Sequence, residues 1–333
     1  MEVFSEDGKC SRKMTNVPPF FAPGHMLNLV NNHLVLLGYT ADRLWKTSSM
    51  EDPLGGILAN KWTTTITPID SEAQGYDISY TYLDGVYVSG GQAQTQVRLE
   101  AGTWAQLYDV KFALNGSSFT SAACKITLEN NDIMFFGGIL LNSSVVVAMV
   151  MTINVEKRTT QLKKNLTNAR FQHACELIDK SHVLVSGGFN SVIESGSVVT
   201  DEIYNIETGE SQPVTNSLMR AKHRLIRLGN SIFAFGGVNE DGSQMSAVET
   251  FNTIDNTWTL HDGKLSSDVS SGLAVTKFPK FGLDCTDCEC GKVPLTERIF
   301  NGTTEKVSFG FGQKKTCVWS SCLLGSTFVF IRN

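Results

Sequence analysis

Short runs of apolar and small residues recur along the chain, and each ends in glycine. Residues 86–91 (VYVSGG), 133–138 (IMFFGG), 183–188 (VLVSGG) and 232–237 (IFAFGG) share the pattern, and residues 34–39 (LVLLGY) are a weaker copy. The first glycines, Gly38, Gly90, Gly137, Gly187 and Gly236, stand 52, 47, 50 and 49 residues apart. Glycine pairs arise by accident, as at Gly55 and Gly56, but constant spacing behind strand-forming runs marks a repeat.

The flanks repeat as well. About 13 residues before the glycines a polar or His position opens a semi-apolar run, in residues 25–30 (HMLNLV), 170–175 (RFQHAC) and 220–225 (RAKHRL). This reads as one strand feeding the next through a tight turn such as Leu228-Gly229-Asn230. A third strand follows in residues 200–205 (TDEIYN) and 247–252 (AVETFN), and Asp255-Asn256 turns the chain into a fourth strand carrying Trp258. Trp62 and Trp104 hold similar late positions. Four antiparallel strands every 50 residues or so cannot bury both faces of their own sheet, so the units must stack on one another. Twisted sheets stacked around an axis make a propeller, with a large fourth-strand residue filling the widening gap between blades.

Totals narrow the choice of class. The chain has 333 residues, 41% of them apolar, enough for a sizeable core. Net charge is −5 with Lys and Arg scattered, so no footprint for nucleic acid is present. No apolar run reaches the roughly 18 residues that span a bilayer. The opening MEVFSEDGKC lacks the basic and apolar regions of a secretory leader, so the protein is expected either to stay in the cell or to have its leader outside this sequence. Sequons start at Asn115, Asn142, Asn165 and Asn301, a number this Ser/Thr-rich composition yields by chance.

The glycines do not read as a phosphate cradle, because no helix follows to offer free amides to an anion. They read as close-packing positions that permit unusual φ. His25, His173 and His223 recur in register but too far apart for one metal site, and read as hydrogen-bonded repeat histidines. Cys124 and Cys175 occupy matching positions and read as buried small hydrophobes. Neither Gly-x-Ser-x-Gly nor His-Glu-x-x-His occurs, so catalysis by the repeat region is not expected, and no cofactor or metal is called for.

An apolar run, Gly-Gly, a later aromatic and Trp, with Arg-x-x-His upstream, resembles the kelch repeat over residues 1–282. The match is good around Gly187 and Gly236, fair at Gly90 and Gly137, and poor in the first copy, where Tyr39 replaces the second glycine. The resemblance implies an all-β kelch-type propeller of six blades, with five as the alternative. Residues near Met1–Ser5 and 11–17 would supply late strands of a sixth blade and residues 270–278 its first strand, hiding both edges. It also implies a protein partner held by Tyr39, Gln92, Arg170, Gln172, Phe189, Asn190, Arg220, Lys222 and Asn239, on a monomeric propeller.

Residues 283–333 break the repeat and form a Cys-rich tail with Cys285, Cys288, Cys290, Cys317 and Cys322. With no flanking His, this set suits disulfides better than zinc. Cys290-Gly-Lys followed by Arg298-Ile299 resembles the activation segment of chymotrypsin-like serine proteases, where cleavage after Arg frees the Ile amine; residues 320–330 resemble the strand leading to that family's catalytic His. The catalytic residues themselves have no counterpart. An apolar strand such as residues 323–331 must dock on the propeller, meet a partner, or be the stump of a longer domain. The expected function is non-catalytic protein recognition outside the cell. The alternatives are the recognition part of a kelch and serine-protease fusion, and a cytoplasmic kelch adaptor.

Overall fold

The computed structural model describes residues 122–130, 132–140, 145–152, 154, 157, 159–192, 199–215, 218–261 and 265 with their side chains, and otherwise only the strands named below. Among the described residues every regular element is a strand, every pairing is antiparallel and there is no helix, hence none long and apolar enough to cross a membrane.

β1 (Glu2–Ser5) pairs with β2 (Cys10–Lys13). The next two sheets take their strands in chain order: β3 (Met26–Val30), β4 (His33–Tyr39), β5 (Trp45–Glu51) and β6 (Thr63–Ile66), then β7 (Tyr80–Tyr82), β8 (Gly85–Val88), β9 (Thr95–Glu100) and β10 (Thr103–Asp109). β11 (Thr120–Ser121) precedes the third sheet. That sheet contains β12 (Cys124–Thr127) and β13 (Ile133–Phe136); β14 (Ile139–Leu140) and β15 (Val145–Val146) leave it to join β11, and β16 (Val150–Asn154) and β17 (Thr159–Leu162) complete it. The fourth sheet is β18 (Ala174–Leu177), β19 (His182–Ser186), β20 (Asp201–Asn205) and β21 (Ser211–Val214). The fifth is β22 (Arg224–Leu228), β23 (Ser231–Phe235), β24 (Met245–Asn252) and β25 (Thr257–Val269). Leu228 pairs with Ser231 across the expected turn, where Gly229 takes φ +56°.

β26 (Ala274–Phe278), β27 (Glu289–Cys290), the hairpin of β28 (Arg298–Phe300) and β29 (Thr303–Glu305), and β30 (Thr327–Ile331) follow. The last sheet is ordered β26-β30-β1-β2-β27. Both chain ends thus meet in it, as expected, but the tail strand lies between them: Val329 sits opposite both Val3 and Thr276. β30 therefore docks within the sheet that the termini share. First strands neighbour one another in chain order, β3 by β7, β7 by β12, β12 by β18, β18 by β22, β22 by β26 and β26 by β3.

The apolar runs are continuous because both sheet faces are covered. Val183 and Val185 of β19 pack with Ile126, Met134, Phe136 and Val150 of the third sheet, while Leu184 points the other way to Ile232 and Phe251 of the fifth. Successive strand side chains point to opposite faces, so a two-sided core needs an apolar residue at every position. Each fully buried Val, Leu or Phe contributes roughly 1.5–3 kcal/mol. Trp258 packs on the same layer with Ile203 and Val214 of the fourth sheet, 5.2 Å from the Phe251 ring.

Cys124 and Cys175 are not separate hydrophobes. They form a disulfide between β12 and β18, with Cα atoms 5.8 Å apart and a sequence separation of 51. Two cysteines facing each other across one inter-sheet core can oxidise where either alone would only fill space. The expected result for Cys124→Ala with Cys175→Ala is a loss of about 2–4 kcal/mol in denaturant unfolding, in line with closing a loop of that size. An equal stability with and without reductant would show that the bond does not bear on the fold.

Candidate functional site

At the glycine ends of the strands the backbone of neighbouring repeats interlocks. Gly187 has φ +59°, and a Cβ there would lie 1.9 Å from the Arg220 carbonyl oxygen of the next sheet; the Gly188 N–H donates to that oxygen at 3.0 Å. One repeat earlier, Gly138 N–H donates to Arg170 O at 2.7 Å. Only a residue without Cβ lets the two chains approach this closely. The pairs are close-packing positions, as expected, and the close approach they permit is between neighbouring sheets.

Arg170 and Arg220 answer the glycines from inside. Arg170 donates to Gly187 O at 2.9 Å, to Thr200 O at 2.9 Å and to Glu202 Oε1 at 2.5 Å, with side-chain exposures of 0% and 2% for the ion pair. Arg220 repeats the set on Gly236 O, Ala247 O and Glu249. Their guanidinium groups tie the end of the second strand to the third, which accounts for the recurrent Arg. Placing them on a partner-binding face is therefore corrected: no partner reaches a side chain enclosed by its own sheet.

Phe189 is corrected in the same way. It is fully buried and exchanges both backbone hydrogen bonds with Phe171, each at 2.9 Å. Ala221 and Val238 form the same two-way bridge at 2.9 and 2.8 Å. Ala122, Phe171, Phe189, Ala221 and Val238 then form one apolar layer over the glycine ends, spanning three repeats. Of the loop residues next to it in the chain, Gln172, Lys222 and Asn239 are half-buried, and Asn190, Val145 and Val192 are exposed. The Lys222 ammonium stands 5.9 Å from the Phe189 ring centre. Tyr39 ends β4 opposite Trp45, and Gln92 lies outside the described residues.

One feature escaped the sequence reading. Ala122, Gln172 and Lys222 all have positive φ, at 55°, 53° and 59°, and hydrogen bond in series: Lys222 N–H to Gln172 O at 2.8 Å, and Gln172 N–H to Ala122 O at 2.9 Å. Each stands two residues before the first strand of its sheet. In the sequence, Gly24 and Gly272 stand at the same distance before β3 and β26, and glycine is the residue type that tolerates such a φ.

His223 Nε2 meets Ser186 Oγ at 3.1 Å, a nucleophile and base within reach, but both are buried, and Asp201 accepts from Gly187 N–H at 2.8 Å instead of orienting the imidazole. His173 packs against Gly137 and Gly188, so it serves by shape where His223 also bonds. Among the described residues no group of three or more His, Cys, Asp or Glu is placed to hold a metal ion. Arg298 and Ile299 lie on β28, paired with Glu305 and Thr304, so the bond expected to be cleaved sits in a hairpin strand. Cys290 ends β27; Cys285, Cys288, Cys317 and Cys322 lie outside the described residues, as do Asn115 and Asn142.

These groups set opposing pH dependences. Burial pushes Asp201 up to about 6, against the Gly187 N–H, Ser186 and Arg170. Burial, with Arg170 and Arg220 beside them, holds His173 and His223 well below 6.5. Below pH 6.5 the unfolded chain takes protons that the two buried imidazoles refuse, so stability falls. Asp201 acts oppositely: its raised folded-state pKa gives stability that is present below the unfolded value of 3.8 and lost as pH rises through about 6. Asp201→Asn, which keeps an acceptor for Gly187, is expected to lose stability more steeply than wild type as pH drops from about 6 to 4. Parallel stability curves over that interval, from urea titrations, would exclude the assignment.

No known family model matches the chain, and no curated protein matches it.

Proposed function

We propose that this chain is a non-catalytic protein-recognition module built as a six-bladed kelch-type propeller. The observation that carries the reading is the layer over the glycine ends. Two-way backbone bridges and the series through Ala122, Gln172 and Lys222 pin the loops, while Asn190, Val192 and Val145 stay exposed. Loops held rigidly by a scaffold bind with little ordering entropy to overcome. The cyclic order in which first strands neighbour one another supports six blades around an axis, and the docking of β30 between β26 and β1 supports reading the tail strand as the piece that closes the ring. A closed ring leaves no long edge strand to pair with another copy, which supports a monomer.

The disulfide between Cys124 and Cys175 favours an oxidising compartment, hence secretion. The binding face consists of Gln172, Lys222, Asn190 and Asn239 with the apolar Val145 and Val192 among them. Aromatic or aliphatic anchors on a protein partner would pack on the valines while its acidic groups meet Lys222.

The test is a binding screen of the intact chain against a displayed library of extracellular protein domains. A triple variant, Asn190→Arg, Lys222→Glu and Asn239→Arg, serves as the comparison. Binding to any captured partner is expected to weaken at least roughly tenfold, the size of one lost interface anchor, with the melting temperature unchanged. Partners that bind wild type and variant alike would place recognition elsewhere.

A further inference from the structure

We propose a second disulfide, Cys10–Cys290, which joins the N-terminal strand pair to the C-terminal tail. β2 and β27 run antiparallel with Cys10 directly opposite Cys290 and Ser11 opposite Glu289. Directly opposed residues in such a pair have Cα atoms about 4.5 Å apart at a non-hydrogen-bonded position and about 5.5 Å at a hydrogen-bonded one. Disulfides bridge Cα separations of roughly 4.4–6.8 Å with Cβ atoms about 3.5–4.5 Å apart, so the register suits a bond best at the non-hydrogen-bonded kind of position, where the Cβ atoms of opposed residues lie closer.

Cysteine arithmetic points the same way. The chain has 8 cysteines, of which Cys124 and Cys175 are already joined. The tail holds an odd set, Cys285, Cys288, Cys290, Cys317 and Cys322, and Cys10 stands alone far upstream. Pairing Cys10 with Cys290 takes the odd member out of the tail and leaves an even set there. The existing Cys124–Cys175 bond favours a compartment where thiols oxidise. In the step itself the two thiols lose two protons and two electrons to the disulfide of a thiol–disulfide oxidoreductase, which leaves as a dithiol.

The location gives the bond a purpose. β30 is inserted between β26 and β1, so the closing sheet is assembled from three separate parts of the chain. β27 contributes only two residues at its edge, next to β2. Two residues of strand pairing hold weakly, and a covalent link at that position keeps the tail on the sheet. The inference stands on strand register and cysteine count, and it holds or fails independently of the recognition role.

Peptide mapping of the intact, unreduced protein tests it. The chain is alkylated at acid pH before unfolding, then digested with trypsin and a glutamate-specific protease. Cuts after Lys9, Arg12, Glu289 and Lys292 release residues 10–12 and 290–292 as short peptides and separate Cys290 from Cys285 and Cys288. The expected product is one species holding both peptides, split by reductant. Recovery of residues 10–12 with an alkylated Cys10, or joined to another cysteine, would overturn the proposal. As a second measurement, Cys10→Ser and Cys290→Ser are each expected to raise the thiol count by one per chain over wild type, and the double variant to restore it. A count lowered by one in either single variant, as a free cysteine there would give, or raised by two in the double variant, as two different bonds would give, would also overturn it.

Discussion

Replacing Arg170 by Met is expected to cost about 3–5 kcal/mol of stability, on a total that for a domain is typically about 5–15 kcal/mol. The loss comes less from the missing attraction than from what remains. Glu202 stays behind with 2% side-chain exposure and no cation, and the Gly187 and Thr200 carbonyls lose their donor. An uncompensated buried charge is the costly state, whereas a buried pair as a whole is worth little against an apolar replacement. Arg170→Met combined with Glu202→Leu should therefore recover much of the single-variant loss. Urea unfolding of the two single variants and the double variant gives the coupling directly. If the double variant is as unstable as the sum of the singles, the pair is not what holds this corner of the repeat. The same cycle at Arg220 and Glu249 should behave alike, because the same carbonyl and carboxylate set recurs there.

The second large effect is expected at Gly187→Ala, on the order of 4 kcal/mol or loss of folded protein altogether. Two causes add. An L side chain at φ +59° costs about 1–2 kcal/mol, and the new methyl meets the Arg220 carbonyl carbon and oxygen, which are backbone and cannot swing away. The fourth and fifth sheets must then separate, and the Gly188 to Arg220 hydrogen bond is lost with them. Gly229→Ala is the control: φ is +56° there, but nothing lies within 4 Å of the added atom. That variant should cost only the backbone strain, about 1–2 kcal/mol. The difference between the two alanine variants in thermal unfolding measures the packing role alone. Equal losses would show that the glycine pair is needed only for its φ.

Several features were readable in advance because they depend on local chemistry repeated many times. Constant spacing of VLVSGG-like runs told of stacked four-stranded units, and the turn at Gly229-Asn230 and the late Trp258 fell where the pattern put them. The glycines read correctly as crowding sites, since no helix follows them and several copies cannot form one binding loop. Arg170, Arg220 and Phe189 were misjudged for one reason. A charged or aromatic residue beside a loop looks exposed in sequence, and its burial depends on a Glu two strands away or on a Phe from the preceding loop.

Which cysteines pair was decided only in three dimensions. Cys124 and Cys175 matched in register, and that match was compatible with two separate core residues or with one bond; the packing of β12 against β18 brought them together. The tail is a similar case. Its apolar final strand had to be covered, and the sequence allowed several covers, but only the tertiary structure placed it between β26 and β1. The all-β repeat is legible along the chain, because continuous apolar runs, glycines and turn residues act within a few positions of one another. Which side chains are buried depends instead on packing between repeats. Burial is a property of what packs over a residue, and here that comes from the neighbouring repeat about 50 positions away.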